Sequence, residues 1–458
     1  MKKLPCVCGV REVIPRTPSM TFEGKSDFLA NIAEIHYASA AVRLLSALSI
    51  KSLPNNADRI FTGPPKKDCI LVDFVRLQSQ SLSHYIQAEH FSPPPHRDIW
   101  YNCEQHVHLE GCLVPELLFA LALRNNVNLP STDGLYTSVA SYSAYLSRND
   151  AFQDLDAFLS LYYTGLSVLQ TQQDYHDLAM VYFRQAAQDN VRHAEVFFDP
   201  QAHTSRGVAY ETILAGFKSA CTEAQTHLGI SSKLIMCFLR HVPAADAIEH
   251  YYTARPDLLN GSIAGIGLDS SEKGYPPELF QGVYALALKD EVRRTAHAGE
   301  EVGPHVVVSS LDKLHVERID HGRTIPQDLE LLSRMAREGI MVTLCPLSNL
   351  KLQGVKSIDQ LPVRVFLDAG VKFSINCDDP AYFGGFILDN YCVVQEAFNL
   401  TAEDWRQICK ASIEGSWCDG TRKRTLLEEL EVVIDAFNKH SLEGVTGEDQ
   451  LKDQASVR

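Results

Sequence analysis

The sequence predicts an α/β protein: a (β/α)8 barrel of the TIM type, with a helical insertion after the first strand and helices at its C-terminal end. Eight strand-like runs end near His108, Asp199, Leu239, Asp269, His297, His321, Cys345 and Asp378. After the second run, successive ends lie 24 to 40 residues apart, the length of a strand with its crossover helix. Polar clusters follow four of these runs, and a barrel of parallel strands would bring all four to one pocket.

The chain before the first strand has a different pattern from the rest. Residues 26–50 carry apolar side chains at the spacing of an amphipathic helix, and three consecutive prolines at 93–95 resemble a linker. We therefore interpret residues 1–97 as an N-terminal extension of unknown role and residues 98–458 as the barrel.

The helices follow from the intervals between strands. About 90 residues separate the first two strand ends, too many for one crossover. They include helical patterns at 155–169 and 175–189, which we interpret as an insertion over the barrel mouth. Later in the chain, 325–338 alternates apolar and charged residues at helical spacing, and 401–413 and 421–439 predict terminal helices.

Composition excludes several functional classes. A hydrophobic content of 45% allows a large core, and a net charge of −15 argues against a surface for nucleic acid or anionic membrane. No apolar run is long enough to span a membrane, and the N-terminus does not resemble a secretory signal. The 12 cysteines are then expected to be reduced thiols. We expect a protein of the cytoplasm, or of both cytoplasm and nucleus; partner proteins are not indicated.

The first polar cluster contains His106 and His108, which alternation along a strand places on the same side, facing the barrel interior. Alone, such a pair is more often two ordinary core histidines. Further imidazoles and carboxylates follow other strands, and three imidazoles with one carboxylate are the ligands of a zinc ion that activates water. The combination predicts a zinc site with a proton carrier beside it.

The proton carrier is predicted at Glu300. Ala298 and Gly299 let the chain turn after His297, so that Glu300 can point into the pocket, where burial would raise its pKa towards neutrality. The alternative, an acid at a helix N-terminus, fits Glu301 better.

Two further clusters supply polar groups to the same pocket. His321 is either a core histidine beside a salt bridge or, next to a zinc site, a second general acid/base or an electrostatic orienter of the attacking hydroxide. Asp378 and Asp379 are either a solvated turn or, with side chains in different directions, one ligand for the metal and one group for the substrate. Pro380 would stiffen their exit from the strand.

Together, the motifs His106-x-His108-x-x-Gly111, His297-Ala298-Gly299-Glu300, Asp320-His321-Gly322 and Asp378-Asp379-Pro380 resemble those of the adenosine/adenine deaminase family of zinc amidohydrolases, over about residues 98–415. The resemblance implies one Zn²⁺ per chain, held by His106, His108, His297 and Asp378. It also implies that Glu300 protonates the purine ring, that His321 is catalytic, and that Asp379 hydrogen-bonds the imidazole edge of the purine.

Within this family, Phe197 to Gln201 and Asp269 to Glu272 resemble the enzymes that act on adenine. The expected substrate is therefore a small purine and the expected reaction is hydrolysis of adenine to hypoxanthine and ammonia. Adenosine or its monophosphate is the alternative substrate, and a catalytically silent purine-binding barrel is the alternative function. We assign Ser270 and Glu110 to substrate binding, and we expect Glu110 to accept a hydrogen bond from the N9–H of the free base.

Overall fold

The computed structural model describes residues 102–130 and 134–435, so the predicted extension 1–97 and its helix at 26–50 lie outside the described residues. Eight strands form one sheet in consecutive order, and every neighbouring pair is parallel. The strands are β1 Asn102–His108, β2 Val191–Phe198, β3 Ser231–Leu239, β4 Gly265–Asp269, β5 Arg293–Ala298, β6 Arg318–His321, β7 Met341–Leu344 and β8 Phe373–Ile375.

The first and last strands meet just beyond the end of β8. The amide of His108 donates to the carbonyl of Asp378 at 2.9 Å, and the amide of Asp378 donates to the carbonyl of His106 at 3.1 Å. Val107 and Asp378 form the corresponding bridge. The sheet therefore closes into the predicted (β/α)8 barrel at residues that the sequence assigned to the site.

Helices connect the strands and cover the outside of the barrel. They are α1 Pro115–Arg124, α2 Val139–Leu146, α3 Leu155–Leu166, α4 Gln172–Gln188, α5 Pro200–Thr204, α6 Tyr210–Glu223, α7 Ala244–Leu259, α8 Gln281–Lys289, α9 Pro304–Lys313, α10 Leu329–Glu338, α11 Pro346–Lys351, α12 Val363–Ala369, α13 Pro380–Phe383, α14 Ile387–Phe398, α15 Ala402–Gly415 and α16, residues 420–435.

Helix α10 shows how local sequence fixes these bounds. The Asp328 carboxylate caps its first turn by accepting from the amides of Glu330 and Leu331, and Gly339 ends it in the left-handed conformation. Its apolar side, including Leu332 and Met335, is buried. The parallel strands are covered on both faces, so β4 is buried at all five positions.

The structure confirms the predicted barrel. Seven predicted strand ends agree with the observed ends to within one residue, whereas β8 ends at Ile375, three residues before the predicted position. The chain leaves extended conformation there and reaches a positive φ at Asp378. The predicted helix 421–439 is seen over 420–435, and its last four residues lie outside the described part.

The segment between β1 and β2 contains α1 to α4, as predicted for the insertion. Helix α3 covers the barrel mouth with Leu155, Phe158 and Tyr162, which face the C-terminal ends of the strands. Among the described residues, no helix combines the length and apolar character needed to span a membrane.

Candidate active site

Four imidazoles and one carboxylate converge inside the barrel mouth. The Nε2 atoms of His108 and His297 lie 3.1 Å apart. The Oδ1 atom of Asp378 lies 3.2 Å from His106 Nε2 and 3.5 Å from His108 Nε2, and its Oδ2 atom lies 3.8 Å from His321 Nε2. Strand alternation in β1 and the ends of β5, β6 and β8 thus bring together residues from distant parts of the sequence.

Hydrogen bonds behind His106 fix which of its nitrogens faces the centre. Its Nδ1 lies 2.8 Å from the Thr343 hydroxyl, and that hydroxyl donates to Asp320 Oδ1 at 3.1 Å. Because the Thr343 proton is used on Asp320, His106 Nδ1 carries a hydrogen and donates. Nε2 of His106 is then an unprotonated lone-pair donor that points at the centre.

These residues suit a metal ion. His106 Nε2 is buried and has no hydrogen-bond partner in the described part of the chain. One ligand atom each of His106, His297, His321 and Asp378 lies within 4.8 Å of the others, and His108 forms a second such group with Asp378 and Asp379. Imidazole nitrogens facing one another around a carboxylate repel unless a proton or a cation lies between them, so the set of donors could hold a metal ion.

Glu300 lies beside this centre, on the loop after β5. The Glu272 carboxylate holds the loop by accepting from the amides of Glu300 at 3.2 Å, Glu301 at 3.1 Å and Val302 at 2.9 Å. In return, Glu301 accepts from the Glu272 amide at 2.8 Å and pairs with Lys273 at 2.9 Å. The two loops therefore clamp each other, and Glu301 is part of the clamp rather than an acid at the start of α9.

The Glu300 carboxylate lies 3.5 Å from His321 Nε2. Burial, and then the nearby Asp378, raise the pKa of Glu300 well above its usual range, so the carboxyl group favours its protonated form. Burial lowers the pKa of His321, which favours the neutral imidazole. The Asn349 amide donates to His321 Nδ1 at 3.4 Å, so the imidazole hydrogen is on Nε2, facing Glu300 and Asp378.

Three residues of this region have left-handed backbone conformation without being glycine. The φ angles of Ser270, His321 and Asp378 are 72°, 66° and 64°. Such conformations are costly for residues with a Cβ atom and persist only where the surrounding structure imposes them. All three follow or end barrel strands, so the strain coincides with the point where their side chains turn into the mouth.

A small cavity opens over the centre. It is lined by Ser270, Glu300, His321 and Asp379, which the sequence assigned to the site, together with His108, His297 and Asp378. His106 is fully buried beneath the cavity. Burial, and then Asp378, raise the pKa of Asp379.

Glu110 occupies a different place from the one expected. It is fully buried and does not line the cavity. Its Oε1 atom accepts from the amide of Asp199 at 3.0 Å and from Nε2 of His203 at 3.0 Å. Arg206 donates to the other nitrogen of His203, so the imidazole hydrogen is directed at Glu110. This geometry does not support direct contact between Glu110 and a base in the cavity, because the carboxylate already holds the backbone of Asp199.

Sequence reasoning assigned no role to several other residues of the cavity wall. Asp199 and Asp269 lie there, at the ends of two predicted strands, and that position was a signal that could have identified them. Phe158, Tyr162 and Tyr163 line the cavity from α3. Their position depends on how the insertion folds back over the barrel, which local periodicity does not specify.

Comparison with known proteins agrees with this geometry. The family described as adenosine deaminase matches residues 102–433. The chain is 51% identical over 355 residues to an adenine deaminase of Schizosaccharomyces pombe, covering 77% of this chain and 96% of that protein. A crystal structure of an adenine deaminase from Arthrobacter aurescens is similar with a TM-score of 0.69 at 40% identity, covering 73% of this chain and 98% of that one. An amidohydrolase from Burkholderia ambifaria with bound zinc has a TM-score of 0.68 at 27% identity, covering 77% of this chain and 97% of that one.

Proposed function

The chain belongs to the adenosine deaminase family, and on that premise we propose that it hydrolyses adenine to hypoxanthine and ammonia. The relatives that share about 50% sequence identity with it are adenine deaminases. The chain is therefore a deaminase, and adenosine is not favoured as its substrate. The observation that carries the proposal is the convergence of His106, His108, His297 and Asp378 beside the buried carboxyl group of Glu300 in a small cavity.

We assign His106, His108, His297 and Asp378 to one zinc ion per chain. The unpartnered Nε2 of His106 and the facing Nε2 atoms of His108 and His297 support this set of ligands, as does the zinc bound by a similar amidohydrolase. When bound, zinc lowers the pKa of water towards ~7 and so supplies a nucleophile at neutral pH.

Side chains that line the cavity transfer the protons of the reaction. Glu300 donates its proton to N1 of the purine, which makes C6 electrophilic. Water adds its oxygen to C6 while Nε2–H of His321 donates a hydrogen bond to that oxygen. The water oxygen passes one proton to the Glu300 carboxylate, which delivers it to the amino group. Ammonia then leaves as the second proton of that oxygen returns to Glu300 and the C6=O bond forms, so adenine and water become hypoxanthine and ammonia.

Other groups of the cavity position the base. Asp379 is assigned to N7 of the imidazole edge and Ser270 to a polar contact with the ring, while Phe158 and Tyr162 offer aromatic faces for stacking. On this proposal residues 98–458 contain every group that takes part in the reaction, and residues 1–97 are an extension that takes no part in it.

A direct assay tests the proposal. Ammonia release by the purified protein is measured with adenine, adenosine and adenosine monophosphate side by side, and bound metals are quantified in the same preparation. We expect turnover of adenine, with a specificity constant at least ~100-fold above that for adenosine, and about one zinc per chain. Protein that is folded and holds metal but releases no ammonia from adenine would overturn the proposal.

A further inference from the structure

Two carboxylates in the cavity wall have no role in the steps described so far. Asp199 directly follows β2 and Asp269 ends β4, and both line the cavity although they are only 2% and 3% exposed. One ligand atom each of Asp199, Asp269 and His108 lies within 4.8 Å of the others. The two acids therefore form a compact acceptor pair on the β2–β4 side of the barrel mouth.

Apart from each other, these acids have no protein donor. The two carboxyl groups hydrogen-bond each other, and within the described part of the chain no other protein group donates to either Oδ atom of Asp269 or to the Oδ1 atom of Asp199. The nearby Arg240 donates elsewhere, to the carbonyls of His297 and Tyr275. Buried carboxylates without donors are costly, so a pair that faces an open cavity is arranged for a donor supplied by a ligand.

A hydrogen bond to Glu110 fixes the backbone of Asp199. Its amide donates to Glu110, which also accepts from His203. Glu110 is therefore a positioning residue for Asp199. Glu110, which the sequence predicted to contact the substrate, therefore acts only through Asp199, and it is the Asp199 side chain that lines the cavity.

The opposite side of the mouth is already assigned. Glu300 after β5 takes N1, and Asp379 after β8 takes the N7 side of the imidazole ring. The one ring N–H donor of free adenine is N9–H, which a nucleoside lacks because its sugar is attached there. Resting on the proposed function, we propose that Asp199 and Asp269 together accept a hydrogen bond from N9–H and so select the free base over nucleosides.

A modified substrate isolates this contact. 9-Methyladenine keeps the amino group, N1 and N7 and replaces only the N9–H. In the wild-type enzyme its kcat/KM should be at least ~100-fold below that of adenine, since the methyl group removes the donor and leaves buried acceptors unpaired. In Asp199→Ala, kcat/KM for adenine should fall ~30-fold while that for 9-methyladenine does not fall, so the preference shrinks to within ~10-fold.

Asp199 is the residue to change because Asp269 lies 3.7 Å from His108 Nδ1, and its loss would disturb the metal centre. If Asp199→Ala does not fold, Asp199→Asn tests the proposal instead. Its amide would donate to Asp269 and occupy an acceptor, so the preference for adenine over 9-methyladenine should fall at least ~5-fold. Asp174→Asn is the matched control, because Asp174 is a buried acid that caps α4 outside the cavity. It should leave the preference unchanged.

The outcomes separate the two proposals. No ammonia release from adenine by folded wild-type enzyme contradicts the proposed function itself. Equal turnover of adenine and 9-methyladenine by the wild type overturns only the role of the acid pair. An unchanged preference in both Asp199 variants does the same, as does a second metal ion per chain that is lost in Asp199→Ala, because the pair would then be a metal site.

Discussion

Buried charges lie at both ends of the barrel, and they are arranged differently. Near the bottom, at the first residue of β6, the Arg318 guanidinium donates to Glu195 and to the carbonyl of Gln105, and it lies 4.2 Å from the centre of the Trp417 ring. Glu195 also accepts from the Trp417 amide. At the mouth, within the described residues, no arginine or lysine pairs with Asp199 or Asp269, and His106 Nε2 receives no hydrogen bond although it lies 3.2 Å from the Asp378 carboxylate.

The difference distinguishes stability from function within one fold. A buried ion pair with its partners in place holds the strands and the chain after α15 together, whereas unpaired acceptors and lone pairs are favourable only when a ligand completes them. In barrels of this type the C-terminal ends of the strands carry the site and the opposite end carries stability. Changes at the two ends should therefore affect different measurements.

The largest effect is expected at the mouth, in His297→Ala. Loss of one imidazole should reduce bound zinc to a small fraction of one ion per chain and reduce ammonia release by at least ~1,000-fold, because no nucleophile is then available at neutral pH. Metal analysis and the ammonia assay check this. His250→Ala is the control, since His250 bonds Thr204 away from the cavity. Full activity of His297→Ala would contradict the assigned ligands.

The next effect is expected at the bottom, in Glu195→Gln. It leaves the Arg318 charge buried without its partner, so the free energy of unfolding should fall by ~3–5 kcal/mol, while kcat of the folded, metal-loaded enzyme stays within about twofold. Denaturant unfolding and the ammonia assay on the same preparation measure both. Asp150→Asn, which removes an exposed pair with Arg148, should cause no measurable change.

The same variant gives a pH dependence. Burial alone would raise the pKa of Glu195, but Arg318 outweighs it, and the pKa falls from the ordinary 4.5 to about 2. A carboxylate whose pKa is lower in the folded state adds stability above its unfolded pKa and loses it on acidification. The stability advantage of the wild type over Glu195→Gln should therefore be complete above about pH 4.5 and shrink as the pH falls towards 2. An advantage independent of pH would contradict the ion pair.

Glu300→Gln tests the chemistry at the mouth without removing volume. The amide cannot deliver a proton to N1, so kcat should fall at least ~100-fold with zinc content and stability retained. Single-turnover rates and metal analysis check this. Glu301→Gln provides the comparison on the same loop, where we expect only a few-fold loss because Glu301 contacts the Glu272 loop instead of the cavity. Similar losses in both variants would count against Glu300 as the proton donor.

The smallest effect is expected for Glu272→Gln, which weakens the clamp on the Glu300 loop. An amide has one acceptor oxygen for three backbone donors, so Glu300 loses part of its positioning and kcat should fall ~10-fold with little change in KM. If Glu272 acts through Glu300, the double variant with Glu300→Gln should be no slower than Glu300→Gln alone. Additive losses would assign Glu272 a separate role.

The side of the mouth formed by β5, β6 and β8 could be predicted from the sequence. His297, Glu300, His321 and Asp379 belong to motifs at strand ends, and a parallel barrel places strand ends at one mouth whatever the details of packing. The barrel itself was predictable for the same reason, because the spacing of apolar runs reports the strand–helix repeat.

The side formed by β2 to β4 could not be predicted in the same way. Glu110 was expected in the cavity because it follows His108 by two residues, but a short helical turn at Glu110–Cys112 directs its carboxylate towards His203 instead. Asp199 and Asp269 were found as strand ends without a role, since a role depends on which neighbours leave an acceptor unpaired. Whether an acceptor is left unpaired depends on how α3, α5 and the loops pack, and no local sequence pattern specifies that packing.

The left-handed backbone at Ser270, His321 and Asp378 has a consequence for efforts to make this protein more heat-resistant. A common engineering rule replaces a residue of positive φ by glycine, because glycine adopts that conformation without steric cost. Applied here, the rule would select three positions whose side chains line the cavity. A library screened for melting temperature alone would therefore enrich variants that are robust and inactive, and each round of selection at these positions needs a parallel screen for turnover.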